Sequence, residues 1–188
     1  MGADQPFSGL ERKDLANGKL VQRRIIEHRG ERHMMGGTSW QVIDATPDVL
    51  WQALLDTSHF SRMLPQVDKA HLVRSAGDKM RMFVRHSGTL VETSYFLDVK
   101  LAPDHSGMTF RVDESSAKGI RAAWGYYTLR PYAGGKTLLI YGVMADIGDG
   151  LVAMLLRATV HEWLLKVPWM VKRFVEGSGR YIYKSRKT

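Results

Sequence analysis

Three fragments of the chain have residue types and spacings that do chemistry in other settings. Gly148-x-Gly150-x-x-Ala153 has the glycine spacing with which a strand-to-helix turn brings backbone N–H groups against a pyrophosphate. It follows a strand pattern and opens a helix, but no second strand follows to build a βαβ unit. Gly134-Gly135-Lys136-Thr137 ends like a phosphate-binding loop, yet Arg130 stands where the first glycine is required, and a two-glycine hairpin accounts for it. His161-Glu162 begins a zinc-protease helix motif, in which two histidines one turn apart hold the metal, but Leu165 occupies the second position. The reading is no metal site and no cofactor.

Acid–base chemistry from groups brought together by folding is less easily read. No Gly-x-Ser-x-Gly elbow is present and the seven histidines are scattered. His86 ends a strand on the face shared with Met80, Met82 and Val84, so it points inward or sits in a turn at the rim. Tyr95 and Arg121 complete the catalytic candidates, as groups able to position carbonyls. Glu92 alternates with Val91 and Thr93 and is expected to face outward.

The elements that must position these groups follow from periodicity. Trp40 to Ala45 reads as a strand entered at Gly36-Gly37, and Thr46-Pro47-Asp48 starts a helix, with Thr46 as its cap. Leu50, Trp51, Leu54 and Leu55 recur at helical spacing, Asp56-Thr57-Ser58 recaps, and a second short helix carries Phe60, Met63 and Leu64 up to Pro65. Strands are then expected over 68–74, 79–86, 89–101, 108–113, 120–130 and 137–145, each rich in β-branched or aromatic residues and bounded by turn formers. From Gly150 the period changes, and Leu155, Thr159, Trp163, Val167, Met170 and Phe174 mark one long helix ending before Gly177, kinked at Pro168. Upstream, residues 1–9 read as a loose tail, 10–20 as a short helix, and Leu20 to Ile26 as a linking strand.

Alternation separates the faces of these strands. Met80, Met82 and Val84 oppose Lys79, Arg81 and Arg85. Val91, Thr93, Tyr95, Leu97 and Val99 share one face, as do Met108, Phe110 and Val112, and the charges opposite mark these as inward. In the last two strands both faces are apolar: Trp124 and Tyr126 oppose Tyr127 and Leu129, while Tyr141 and Val143 oppose Ile140 and Met144. Ten methionines supply polarizable surface suited either to gap-filling or to an adaptable binding wall. Buried tyrosines need polar partners, which makes Tyr95 and Tyr141 candidates for hydrogen bonding a mostly apolar ligand, with Thr93 and Thr159 as lesser ones.

Composition bounds the rest. A chain of 188 residues fits one domain, and the absence of cysteine excludes disulfides, thiolate metal sites and cysteine nucleophiles. No apolar leader or spanning stretch is read, so a cytoplasmic location is expected. The net charge is +8, and Lys and Arg outnumber Asp and Glu by eight to two over residues 157–188 against twelve to twelve over 34–156. That basic end either touches an anionic membrane surface or is a solvated face. Nucleic acid ranks last as a partner, because aromatic residues other than Tyr181 and Tyr183 are not interleaved with those cations.

The run Ala45, Pro47, Val49 with Trp51, Asp56, Phe60 and Leu64-Pro65 resembles the opening of the START-like superfamily, also called SRPBCC or Bet v 1-like, in its polyketide cyclase and coenzyme Q-binding branch. Gly125-Tyr126-Tyr127-Thr128-Leu129-Arg130-Pro131 is similar to that family's Gly-x-Trp-x-Leu-x-Pro, with Tyr127 in the place of Trp. The resemblance implies an α+β helix-grip fold, a curved antiparallel sheet of about seven strands wrapped on the long C-terminal helix. Residues 36–177 would form the domain, after an N-terminal extension (1–35) and before a basic tail (178–188). It also implies an internal cavity for an apolar small molecule (a lipid, sterol, quinone or polyketide), either carried or, in an aromatase/cyclase-like enzyme, cyclised. A ribosome, RNA or protein interaction module is the third reading. The candidate lining is then Met80, Met82, Val84, Val91, Thr93, Tyr95, Leu97, Phe110, Val112, Trp124, Tyr126, Tyr141, Val143, Leu155, Thr159 and Trp163.

Overall fold

The computed structural model of the chain describes residues 6–87, 93–149 and 151–183. In chain order it runs α1 (Gly9–Ala16), β1 (Val21–Arg29), β2 (Arg32–Ile43), α2 (Pro47–Leu55), a 3₁₀ turn (Thr57–His59), α3 (Phe60–Met63), β3 (Val67–Ala76), β4 (Lys79–His86), β5 (Thr93–Leu101), β6 (Gly107–Val112), β7 (Ala122–Tyr132), β8 (Lys136–Asp146), α4 (Leu151–Leu165) and α5 (Val167–Glu176). All eight strands form one antiparallel sheet in the order β1-β2-β8-β7-β6-β5-β4-β3. This is the expected helix-grip arrangement, with one strand more than expected. No helix among the described residues is long and apolar enough to cross a membrane.

The additional strand is the segment read as a link. β1 pairs with β2 along its whole length, from Val21 opposite Trp40 to Arg29 opposite Arg32. Two features hold it. At Gly37, with φ of +140°, a Cβ would lie 2.0 Å from the Arg23 carbonyl oxygen, so only glycine lets β1 approach. Arg23 in turn reaches Glu11 of α1 at 3.1 Å and lies over the Trp40 ring at 5.1 Å, tying α1 to the convex face. There Leu15, Val21, Trp40, Val42 and Ile140 make a small core of their own. The reading of residues 1–9 as loose tail missed the start of α1, where Ser8 and Glu11 exchange backbone and side-chain bonds as a capping box.

α2 starts at Pro47 as expected, but Thr46 caps it with its carbonyl, which accepts from the Leu50 N–H at 3.1 Å, and not with its side chain. Its inner face buries Leu50, Trp51, Ala53 and Leu54. Asp56 then accepts from the Ser58 N–H at 3.1 Å, from His59 at 2.9 Å and from the Tyr183 hydroxyl at 2.9 Å, so the turn between α2 and α3 is also the anchor of the C-terminal end. These carboxylate hydrogen bonds outweigh burial and hold the Asp56 pKa below its usual range, while burial and the carboxylate raise that of Tyr183.

The long C-terminal helix is not merely kinked. It is interrupted at Lys166, two residues before Pro168, which cannot donate a helical N–H. The carbonyl of Leu165 at the break is taken up by the buried Ser39 hydroxyl of β2 at 2.7 Å, and α5 then packs Val171, Phe174 and Val175 into the main core. Ser39→Ala leaves that carbonyl buried and unsatisfied, and should lower the unfolding free energy by about 1–3 kcal/mol. A lower urea midpoint at unchanged slope is the expected reading. An unchanged midpoint would mean that water replaces the hydroxyl.

Candidate ligand cavity

Cross-strand register decides what faces the helices. The inner positions of β4 to β8 are Met80, Met82, Val84 and His86; Tyr95, Leu97 and Val99; Met108, Phe110 and Val112; Ala123, Gly125, Tyr127 and Leu129; and Leu139, Tyr141, Val143 and Ala145. Between this face and the helices lies a cavity of ≈130 Å³. Leu54 of α2, Phe60 and Met63 of α3, Trp163 and Leu164 of α4 and Val167 and Val171 of α5 roof it.

Of the expected lining, Met82, Val84, Tyr95, Leu97, Phe110, Val112, Tyr141, Val143 and Trp163 border this cavity, and so does His86, which therefore points inward. Met80 is buried on the same face but lies beyond the cavity, and Thr93, half-buried opposite His86, does not reach it. Val91 lies outside the described residues, as does the side chain of Leu155. Three expectations are corrected. Trp124 and Tyr126 stand on the convex face, because their cross-strand partners Met144 and Gly142 alternate with the inward Val143. Thr159 is exposed on α4. Arg121 is exposed and paired with Asp149 at 2.7 Å, away from the cavity. The lining expected from sequence omitted Val99, Met108, Ala123 and Ala145, the roof residues of α2, α3 and α5, and also Tyr127. Tyr127 stands where the family pattern has Trp, and opposite Tyr141 it belongs to the inward row.

No lining residue carries a full charge at neutral pH, but several are polar. His86 Nε2 and the Tyr95 hydroxyl share a hydrogen bond of 2.7 Å, and the Trp163 ring meets the imidazole edge-on at 5.5 Å. Burial pushes the His86 pKa down to about 4, with Asp68 a lesser opposing influence, so the imidazole is neutral at physiological pH. The Tyr127 and Tyr141 rings meet at 4.8 Å, tilted by 35°, beside Phe110. Burial raises the pKa of Tyr95, Tyr127 and Tyr141, so all three remain protonated donors. Among the described residues the Tyr127 and Tyr141 hydroxyls have no hydrogen-bond partner, and the buried Trp163 indole N–H has none. An enclosed phenol or indole normally finds a partner, so these donors suit a guest that carries acceptors.

The motifs rejected from sequence have structural work. His161 Nε2 hydrogen bonds the Gly36 carbonyl at 2.7 Å in the interior. Gly134 and Gly135, at φ of +73° and +74°, make the turn between β7 and β8.

The family described as polyketide cyclase / dehydrase and lipid transport matches residues 37–176. The chain belongs to this family. Its fold is shared by TTHA0849 from Thermus thermophilus, at a TM-score of 0.66 and 14% identity over 78% of this chain and 98% of that one. The Zhui aromatase/cyclase from Streptomyces sp. R1128 superposes at 0.63, with 15% identity over 78% and 99% of the two chains. A STAR-related lipid transfer protein from Xanthomonas axonopodis does so at 0.61, with 16% identity over 82% and 98%. No curated protein matches the chain by sequence.

The low pKa of His86 has a signed consequence. The unfolded chain holds this proton below about pH 6.5 while the folded chain does not until about pH 4, so the unfolded state binds more protons in that window. The contribution of His86 to stability is complete above pH 6.5 and falls as pH drops towards 4. NMR titration should show the His86 ring unprotonated at pH 5.5. A midpoint near 6.5 would place the imidazole in contact with solvent.

Proposed function

We propose that the protein binds an uncharged, mostly apolar, carbonyl- or hydroxyl-bearing small molecule in the cavity under α3, α4 and α5, as expected of a carrier for a lipid, sterol, quinone or polyketide. The observation that carries this reading is a cavity with no charged wall and with unpaired phenol and indole donors. A carboxylate or phosphate would lose its hydration there without a cation to receive it. The family assignment supports the same class of ligand.

Size sets the terms of binding. A volume of ≈130 Å³ suits one ring, whereas drug-sized guests occupy roughly 300–1,000 Å³. A single ring burying ~150 Å² at ~25 cal/mol per Å² gains ~4 kcal/mol, which is about millimolar affinity. Tighter binding of a larger guest therefore requires the helices to move outward. Calorimetry with one-ring ketones and phenols should give millimolar dissociation constants, weakened about five- to tenfold by Tyr127→Phe where the phenol donates, and native mass spectrometry should find a larger neutral guest. Preferential binding of fatty-acid anions would refute the reading.

The second reading is an aromatase/cyclase-like enzyme, and what favours it is the gathering of His86, Tyr95, Tyr127 and Tyr141 around one cavity. Neutral His86 can accept a proton from the acidic carbon between two carbonyls. A tyrosine hydroxyl then stabilises the enolate oxygen, and the enolate carbon attacks a second carbonyl in the same chain, which takes up the proton. On this reading His86→Ala abolishes turnover of a poly-β-ketone analogue while retaining its binding. Turnover undiminished in that variant would leave the carrier reading alone.

A further inference from the structure

The convex face of β3 to β7 carries a second concavity, a trough of ≈780 Å³ on the other side of the sheet from the cavity, with Val99 and Phe110 bordering both. Two adjacent rows of side chains cross it. One is Arg74, Arg81, Asp98, Arg111 and Trp124, each directly opposite the next, and the other is Ala76, Lys79, Lys100, Thr109 and Tyr126. Five strands at ~4.8 Å spacing make the trough about 19 Å long.

Its charge is one-sided. Residues 34–156 hold equal numbers of formal positive and negative charges, yet the rows bring five cations together with one carboxylate. Arg81 is neutralised by Asp98 at 2.8 Å and by Asp113, and Arg111 meets Glu114 at 3.3 Å. Among the described residues no ion pair compensates Arg74, Lys79 or Lys100, all exposed. Lys79 stands directly opposite Lys100, a placement that weakens a sheet when left unscreened, and Arg74 lies opposite the already paired Arg81. A merely solvated face gains nothing from such a pair, whereas a polyanion laid across it relieves the repulsion.

The far end of the trough is aromatic. Trp124 is half-buried there, and the Tyr126 ring packs against Gly142, where any Cβ would come within 2.2 Å of it. We propose that this trough binds single-stranded nucleic acid, with phosphates on Arg74, Lys79, Lys100 and Arg111 and a base against Trp124. An acidic peptide would meet the cations but leave the aromatic end unused, and a free nucleotide does not span the rows. The low rank given to nucleic acid from sequence rested on the tail, where only Tyr181 and Tyr183 are interleaved with basic residues. In the trough, strand pairing puts them side by side.

The test is fluorescence anisotropy of the full chain with a fluorescein-labelled octathymidylate. Four phosphate contacts predict an affinity that falls roughly 50-fold between about 50 and 200 mM salt, and Lys79→Ala with Lys100→Ala should reduce the log–log salt slope by about 1.4. Both lysines are exposed, so that variant should keep its circular dichroism spectrum and its guest in the cavity. Equal binding by the double variant would overturn the proposal. So would binding lost only on removal of residues 184–188, or equally strong competition by a glutamate octapeptide.

Discussion

An antiparallel sheet with one apolar face is stable only when that face is covered, and here the cover is a helix broken at Lys166. Everything else in the structure depends on how the two segments are seated. α5 packs into the core with Val171, Phe174 and Val175, whereas α4 offers Trp163 and Leu164 to a space they do not fill. Ser39 secures the junction by taking up the Leu165 carbonyl, and His161 of α4 is held to the Gly36 carbonyl by a second buried hydrogen bond. The anchor of Tyr183 on Asp56 closes the other end of α5 against the turn after α2.

Polarity is sorted by the same sheet. Its concave side holds neutral donors in an apolar setting, where an imidazole loses its charge and phenols keep their protons. Its convex side holds the cations that alternate with those residues along each strand, such as Lys79 and Arg81 beside Met80 and Met82. The period of two links the two surfaces: along β4 to β7, outward Arg81, Asp98, Arg111 and Tyr126 of the trough sit beside inward Met82, Leu97, Val112 and Tyr127 of the cavity. A substitution on one face therefore leaves the other chemically intact, which makes the two activities proposed for the molecule separable by experiment.

Much of this was legible beforehand, for identifiable reasons. Charges opposite Met80, Met82 and Val84 and opposite Tyr95 and Leu97 gave their strands a visible inside, and all of these except Met80 reach the cavity. β7 has apolar residues on both faces, and Trp124 and Tyr126 could not be told from Tyr127 by alternation alone. α1, through Leu15, and Phe7 before it cover the convex face of β2 and β8, so Trp40 and Ile140 are buried on the side that would otherwise be polar. With that second small core present, hydrophobicity no longer distinguishes inside from outside.

The amino-acid sequence by itself determined the order of elements, the sheet-and-helix class and the inward face of the central strands, because helical and strand periods are local properties of the chain. Only the tertiary structure decided that His86 meets Tyr95, that Tyr127 and Tyr141 share one wall, that Arg121 belongs to Asp149, and that the cavity is no larger than ≈130 Å³. Those outcomes depend on register between strands and on the seating of a broken helix. Both are set by contacts between residues far apart in the chain, which no local period encodes.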